Sequence, residues 1–471
     1  MQYVNYFEKK YLILEGKLSL KENVSEFLHR IEINKHLNAF NFVDSEILNK
    51  VDLIEQKIKN NDAGKLAGLV IAIKDNILQK NYLNTCSSKI LSNYNALYNA
   101  TVIERLLNED ALIIGRTNCD EFAMGSSNEN SVFGPVLNPH DNNKVSGGSS
   151  GGSAAAVSAY LCDVALGSDT GGSIRQPAAF CGVYGVKPSY GLVSRYGLTA
   201  FASSFDSIGC FTNSIDDAAL VLEVISGNDS KDSTSVKIPK FNFAEINDFR
   251  TFKIGLPKEY FADGLDPAIK NKIEDLVKKI EQKGHSVVNI SLPNTEYSIA
   301  TYYILTTAEA SANLERFDGV RYGYRSEASS SLSDMYINSR SEGFGDEVKR
   351  RIMLGTFVLS TGYYDAYYKK AQKVRKLIKT DFDRAFDEVD IILTPTTPTV
   401  AFNIGEKSTD PLEMYLSDIY TTSANLAGIP GINIPIGKNE EGLPIGAQIM
   451  SKQFHEKDLF TFIKQIDEFL K

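Results

Sequence analysis

The stretch from Lys144 to Pro177 constrains the fold more than any other part of the chain. It reads KVSGGSSGGSAAAVSAYLCDVALGSDTGGSIRQP, two Gly/Ser clusters (146–153 and 167–173) separated by an apolar segment. Ala154 to Tyr160 is rich in small helix formers, and Asp163 to Leu166 has the short apolar run of a buried strand. The order cluster, helix, strand, cluster puts both glycine-rich turns at element ends, where backbone N–H groups lack partners. Such turns aim several donors at one oxygen, and glycine lets a substrate approach the main chain closely. A flexible linker shares the Gly/Ser content, but it does not alternate with apolar elements or end in Ile174-Arg175-Gln176-Pro177.

A chain of 471 residues has the length of about three domains, or of one large α/β domain. Hydrophobic residues make up 43% and charged residues 23%, the balance of a globular protein with a large core. The net charge of −9 argues against a chain that grips nucleic acid by itself, because neutralising phosphates needs clustered Lys and Arg. The five cysteines (Cys86, Cys119, Cys162, Cys181, Cys210) show no Cys-x-x-Cys spacing and read as free, buried thiols in a reducing compartment. With no signal-like N-terminus and no run of eighteen apolar residues, a soluble, cytoplasmic protein without a membrane span is expected.

Taken in order, residues 18–59 carry a helical pattern that opens on the capping-box spacing Ser19…Glu22. This arm is expected to pack on the outside and to carry no chemistry. The run Leu69-Val70-Ile71-Ala72-Ile73 then delivers Lys74-Asp75-Asn76 at the end of a buried strand, where ligands of open α/β sheets sit. By position alone, Lys74 equally marks where a strand meets water. Residues 101–107 read as helix, 111–114 as strand, and 118–127 as a polar pocket wall. Val183 to Pro188 reads as a strand, 216–225 as a helix, and Asn228 to Lys240 as a polar surface loop. Further α/β alternation follows: strand 252–257, helix 266–283, strand 287–290, a largely helical tract from 298 to 384, strands 389–393 and 432–436, and a final helix striped by Leu459, Phe462, Ile463 and Ile466. No repeat and no linker divides the chain, so one domain over residues 1–471 is expected.

Several chemistries are excluded by context. Gly147-Gly148-Ser149-Ser150-Gly151 matches a nucleophile elbow, but the polar turn Asn138 to Lys144 stands where the elbow needs a strand. A downstream histidine base would be His285 or His455, both read as solvated. No phosphate-binding glycine motif appears, and the five scattered histidines form no metal cluster with cysteine. What remains is serine chemistry with lysine as base. Such a lysine must be neutral, and lowering its pKa from about 10.4 to near 7 costs roughly 4–5 kcal/mol, which a rigid strand end can supply. Lys74 fits that requirement.

The runs GGSSGGSAAAVS and GSDTGGSIRQPAAFCGVYGVKPS resemble the amidase signature family, densely over about residues 66–211. The resemblance implies that family's α/β fold, one large mixed twisted β-sheet covered by helices on both faces. It implies a lysine base at Lys74, a bridging serine preceded by a cis peptide bond at Ser149, and a nucleophile at Ser173. The backbone N–H groups of Thr170, Gly171, Gly172 and Ser173 would form the oxyanion hole. The segments 317–323, 348–356 and 362–368 resemble the glutamine-hydrolysing subunits of the tRNA-dependent amidotransferases. That narrower resemblance implies glutamine as substrate, with Arg351 on its α-carboxylate, Asp418 on its α-amino group, and Tyr302 and Met124 lining the pocket. By charge pattern alone, Arg351 reads as a surface arginine and Asp418 as a helix-face carboxylate. The resemblance also implies a partner subunit that holds ATP, Mg and tRNA, a small third subunit, and no cofactor or metal in this chain. On that reading, residues 1–60 are a helical arm, 66–211 the catalytic core, and 298–384 a helical part contributing to the pocket. The rivals are a stand-alone amidase acting on small amides and a scaffold subunit that has lost activity.

Overall fold

Residues 70–74 are apolar except for the last, and such a run is stable only where both strand faces are covered. The computed structural model, which describes residues 4–237, 249–262, 264–408 and 410–470, places this run inside an 11-stranded mixed sheet. The strands of the first half are β1 (Phe40–Val43), β2 (Val70–Lys74), β3 (Leu112–Thr117), β4 (Leu137–Asn138), β5 (Asp141–Val145), β6 (Val164–Asp169), β7 (Tyr184–Lys187) and β8 (Ser207–Thr212). The second half adds β9 (Lys253–Pro257), β10 (Ser286–Ile290), β11 (Ile391–Pro395), β12 (Gly431–Lys438) and β13 (Pro444–Ser451). The sheet order is β1-β3-β2-β6-β8-β7-β12-β13-β11-β9-β10, and β4 pairs only with β5. Strands β3, β2 and β6 run parallel, with Lys74 level with Thr117 and Ile73 level with Leu166. Three carboxyl ends therefore open at one place.

Alternation along the strands divides the core. Ile71, Ile73, Val164, Leu166, Ile432 and Ile434 share one apolar cluster with residues of the helices Ile215–Ile225, Pro267–Gln282 and Glu456–Ile466. Val70, Ala72, Ala165 and Phe211 join a second cluster with the helices Leu20–Ile33, Leu48–Lys59 and Gly151–Ser158. A third cluster, around Tyr302, Leu305, Phe382 and Ile392, fills the other end beneath the helices Ser298–Asn313 and Lys370–Glu388. Helices thus cover both faces of the sheet. Each buried Ile, Leu or Phe of these stripes contributes about 1.5–3 kcal/mol.

The cap read in the sequence forms where expected, with Ser19 Oγ accepting from the Glu22 N–H at 3.4 Å, and Asp266 caps a helix that starts at Pro267. Three expectations need correction. The arm is not wholly helical, because Phe40-Asn41-Phe42-Val43, aromatic and β-branched, pairs antiparallel with β3 as the sheet's edge. The stretch Asn138 to Lys144 is not wholly a turn, since Asp141–Val145 is strand β5, paired with β4. His285 is not solvated. It is 4% exposed, accepts the Phe252 N–H at 3.1 Å and packs edge-on to Phe462, because the turn it occupies is roofed by the C-terminal helix. His455 does lie exposed at the start of that helix. All five cysteines are free and buried. Residues 228–237 form an irregular segment held by Asp229 and Asp232, and the remainder of that expected loop lies outside the described residues. Among the described residues, no helix is long and apolar enough to cross a membrane.

Candidate active site

Strand β2 ends on Lys74, whose ammonium has no exit to solvent. Its Nζ lies 2.7 Å from Ser149 Oγ, 2.9 Å from Ser150 Oγ and 3.0 Å from Ser168 Oγ. Burial lowers its pKa to about 8, partly opposed by Cys119 and by the carboxylates of Asp120, Asp169 and Asp206. The three hydroxyls are not equivalent. Ser150 Oγ spends its own proton on the Ser168 carbonyl at 3.1 Å, and Ser168 Oγ also accepts from Asn76 Nδ2 at 3.0 Å. Ser150 is thus arranged to accept from Lys74. A neutral amine has two N–H donors and one lone pair, and of the two hydroxyls whose protons are not committed, Ser149 lies nearer to it.

The first Gly/Ser cluster brings Ser149 to the lysine. The Gly148–Ser149 peptide bond is cis. Gly148 N–H donates to Gln176 Oε1 at 3.0 Å, and Gln176 Nε2 donates to the Ser126 carbonyl at 2.6 Å. The second cluster lies against the first, with Ser150 N–H donating to the Ser173 carbonyl at 3.2 Å. Lys74 and Ser149 are wholly buried, whereas Ser173 is 8% exposed. Of the three expected groups, Ser173 is the one that an incoming molecule reaches.

The Ser173 loop is held from below by a buried ion pair. Asp169 receives Arg175 Nε at 3.1 Å and Nη2 at 3.0 Å, together with the N–H groups of Gly172 (2.9 Å) and Ile174 (3.1 Å). Burial alone would raise the Asp169 pKa, but the Arg175 charge and its hydrogen bonds hold it at about 2. Arg175 also donates to the Thr421 carbonyl at 3.0 Å, to Asn425 Oδ1 at 2.5 Å and to Gln448. Thr421 Oγ1 returns a bond to the Gly171 carbonyl at 2.7 Å. Gly172 has φ +142°, and a Cβ there would overlap the Thr421 hydroxyl, so only glycine fits. One expected oxyanion donor is therefore corrected: the Gly172 N–H is committed to Asp169. Among the described residues, the N–H groups of Thr170, Gly171 and Ser173 carry no hydrogen bond to the chain.

The second half of the chain closes over this loop. Tyr302, 4% exposed, packs so tightly on Gly171 that a Cβ at that position would strike its ring. Arg351 is not a surface residue: it is 3% exposed and faces the rings of Phe201, Tyr303 and Tyr415 at 5.1–5.6 Å. Asp418 is also buried. Its Oδ2 accepts from Ser126 Oγ, its Oδ1 has no partner among the described residues, and burial pushes its pKa up to about 7. Tyr302 and Tyr303 lie in the field of both charges. Met124 is wholly enclosed in the apolar cluster that holds Tyr302, so its side chain serves the packing around the site. Sequence reasoning missed Ser150, Ser168 and Thr421, and gave no role to Asn76, at the end of the β2 run, or to Ser126, in the polar stretch 118–127. For Ser150 and Ser168 the signal was their place beside Ser149 and Asp169 within the two clusters; Thr421 comes from a remote segment.

The amidase family model matches residues 22–460. The chain is 49% identical to the A subunit of the glutamyl-tRNA(Gln) amidotransferase of Salinibacter ruber, over 97% of this chain and 98% of that one. It is 54% identical to the protein of the same name from Caldanaerobacter subterraneus, over 95% and 93%. The crystal structure of the glutamyl-tRNA(Gln) amidotransferase A subunit from Thermotoga maritima superposes with a TM-score of 0.80 at 41% identity, covering 98% of this chain and 94% of that one. The peptide amidase of Stenotrophomonas maltophilia superposes equally well, with a TM-score of 0.83 at 26% identity, over 100% and 97%. The backbone thus fits both a peptide amidase and an amidotransferase subunit, and sequence identity separates them. With that distinction drawn, the chain belongs to the amidase family and, within it, to the group of glutamyl-tRNA(Gln) amidotransferase A subunits.

Proposed function

We propose that this chain is the glutaminase of a tRNA-dependent amidotransferase, hydrolysing glutamine through a Ser173 acyl-enzyme and releasing ammonia to amidate Glu-tRNA(Gln). The observation that carries this reading is the wholly buried Lys74 amine, with Ser149 Oγ as its shortest contact at 2.7 Å. In the reaction, Ser149 passes its proton to neutral Lys74 and takes one from Ser173. The Ser173 oxygen forms a bond to the side-chain carbonyl carbon of glutamine. Charge gathering on the carbonyl oxygen meets the N–H groups of Thr170, Gly171 and Ser173. The C–N bond then breaks, and the leaving nitrogen takes a proton back through Ser149 and departs as ammonia. Water attacks the ester by the reverse route and frees glutamate. Arg351 holds the substrate α-carboxylate and Asp418 its ammonium, with Tyr302 between them and the loop. A free amino acid needs one cation and one anion; a simple apolar amide needs neither.

On this reading the chain works beside one partner that uses ATP and Mg and holds the tRNA, and beside a small third protein of the same complex. The net charge of −9 agrees with tRNA being held elsewhere. The same ammonia supply would serve aspartyl-tRNA(Asn) as the alternative acceptor.

Two outcomes test the assignment. Lys74 acts as base only when neutral and titrates at about 8, so kcat for glutamine hydrolysis should rise with pH through about 8, falling tenfold per unit well below it. A kcat that stays flat between pH 6 and pH 9 removes Lys74 from that role. Arg351→Ala should raise the glutamine KM about 10–100-fold, the size expected for a lost hydrogen bond between charged groups. An unchanged KM takes Arg351 out of the pocket.

A further inference from the structure

The guanidinium of Arg351 is fixed on its inner side by one carboxylate. Its Nε donates to Glu347 Oε1 at 2.8 Å, one helical turn earlier, within the helix Asp346–Leu359. The same oxygen accepts the Tyr415 hydroxyl at 3.0 Å, and Glu347 also pairs with Arg350. Burial alone would raise the Glu347 pKa, but the Arg351 charge and hydrogen bond dominate and lower it, so the carboxylate stays ionised. Tyr415 stacks on Tyr303 with ring centroids 3.8 Å apart and planes at 25°, and both rings face the guanidinium. The planar fork is therefore held along its Nε edge and flanked by aromatic faces. Among the described residues, Nη1 and Nη2 make no hydrogen bond, which leaves the outer edge for a planar, bidentate partner.

We infer that Glu347, with Tyr415 behind it, is a positioning residue that sets specificity for substrates carrying an α-carboxylate by aiming Arg351. The inference rests on the reading of Arg351 as the carboxylate anchor. Glu347 touches no substrate atom and acts through the orientation of the arginine. Loosening it lets the guanidinium leave the one orientation that presents its outer edge, so binding of the carboxylate weakens while the serine chemistry around Lys74 is undisturbed.

The test compares glutamine with 4-aminobutanamide, which is glutamine without its α-carboxylate, in glutaminase assays on the full chain in its native complex. Glu347→Gln keeps the shape and removes the charge. It should raise the glutamine KM about tenfold, leave kcat within about threefold, and leave kcat/KM for 4-aminobutanamide unchanged. Tyr415→Phe removes only the supporting hydrogen bond and should raise the glutamine KM two- to threefold with the same selectivity. Glu347→Asp should recover part of the loss. Equal weakening of both substrates, or a fall in kcat that matches the rise in KM, assigns Glu347 a merely structural role and overturns the proposal. If Glu347→Gln does not fold, Tyr415→Phe decides by the same two-substrate comparison. Arg351→Ala separates the two failures. If it raises the glutamine KM while Glu347→Gln does not, only the positioning role falls; if it does not, the anchor reading falls and takes the positioning role with it.

Discussion

Ser173→Ala should lower kcat for glutamine hydrolysis by about 10⁴–10⁶ while leaving the fold and the binding of glutamine in place. The size follows from what the substitution removes. Without the hydroxyl no acyl-enzyme forms, and the rate that survives comes from the bound, polarised amide meeting water, typically about 10³–10⁴ above the uncatalysed reaction. Stability should stay close to that of the parent, because the Ser173 hydroxyl makes no hydrogen bond among the described residues and its removal leaves no partner unpaired. The braces on that loop, Asp169 and Thr421, hydrogen-bond to its backbone and not to this side chain, and Arg175 acts through Asp169. Ammonia release gives the rate, and mass spectrometry of the quenched parent should find the glutamyl ester that the variant lacks. Retention of more than about a hundredth of the parent kcat would mean that another nucleophile does the work.

What could be read from the chain divides along a physical line. Lys74 stood out because a lysine closes an apolar run, and Ser149 and Ser173 were legible in the glycine clusters only through the family resemblance those clusters carry. The frame that positions them was not. Ser126 meets Asp418, and Arg175 meets Asn425 and Gln448, across separations that local spacing does not encode. Charge pattern alone misplaced Arg351, because Lys349, Arg350 and Glu347 beside it look like a solvated face; the three rings that bury it come from three other segments. Strand β13 escaped notice for a related reason. Pro444-Ile-Gly-Ala-Gln-Ile-Met-Ser has few β-formers, yet all eight positions are buried between β12 and β11, and placement overrides propensity. Strand β1 was hidden by the helical patterns on either side of it, although Phe-Asn-Phe-Val reads as strand once β3 is there to pair with it.

Arg175→Met should be among the most destabilising single substitutions in the chain, costing about 3–5 kcal/mol at neutral pH. Arg175 and Asp169 are both wholly buried, and the guanidinium supplies the carboxylate with its counter-charge and two hydrogen bonds. Methionine fills much of the space but leaves a buried carboxylate with only the N–H groups of residues 172, 174 and 175 and Asn425 Nδ2 as donors. The pH dependence identifies the cause. In the parent, Asp169 titrates at about 2, below its unfolded value near 3.9, so its stabilisation is full above about pH 4 and is lost as pH falls toward 2. In the variant, burial without the counter-charge raises the Asp169 pKa above its unfolded value. The penalty then holds above that raised value and disappears once the carboxyl is neutral. The two stabilities should therefore converge as pH drops from 7 toward 4. Urea unfolding followed by circular dichroism at several pH values measures the gap. A second arm removes the stranded charge: Asp169→Asn combined with Arg175→Met should cost clearly less than the sum of the two single substitutions. A gap that stays constant with pH, together with strict additivity, would mean that packing and not charge pairing makes Arg175 matter, and the brace beneath the nucleophile loop would have to be explained by shape alone.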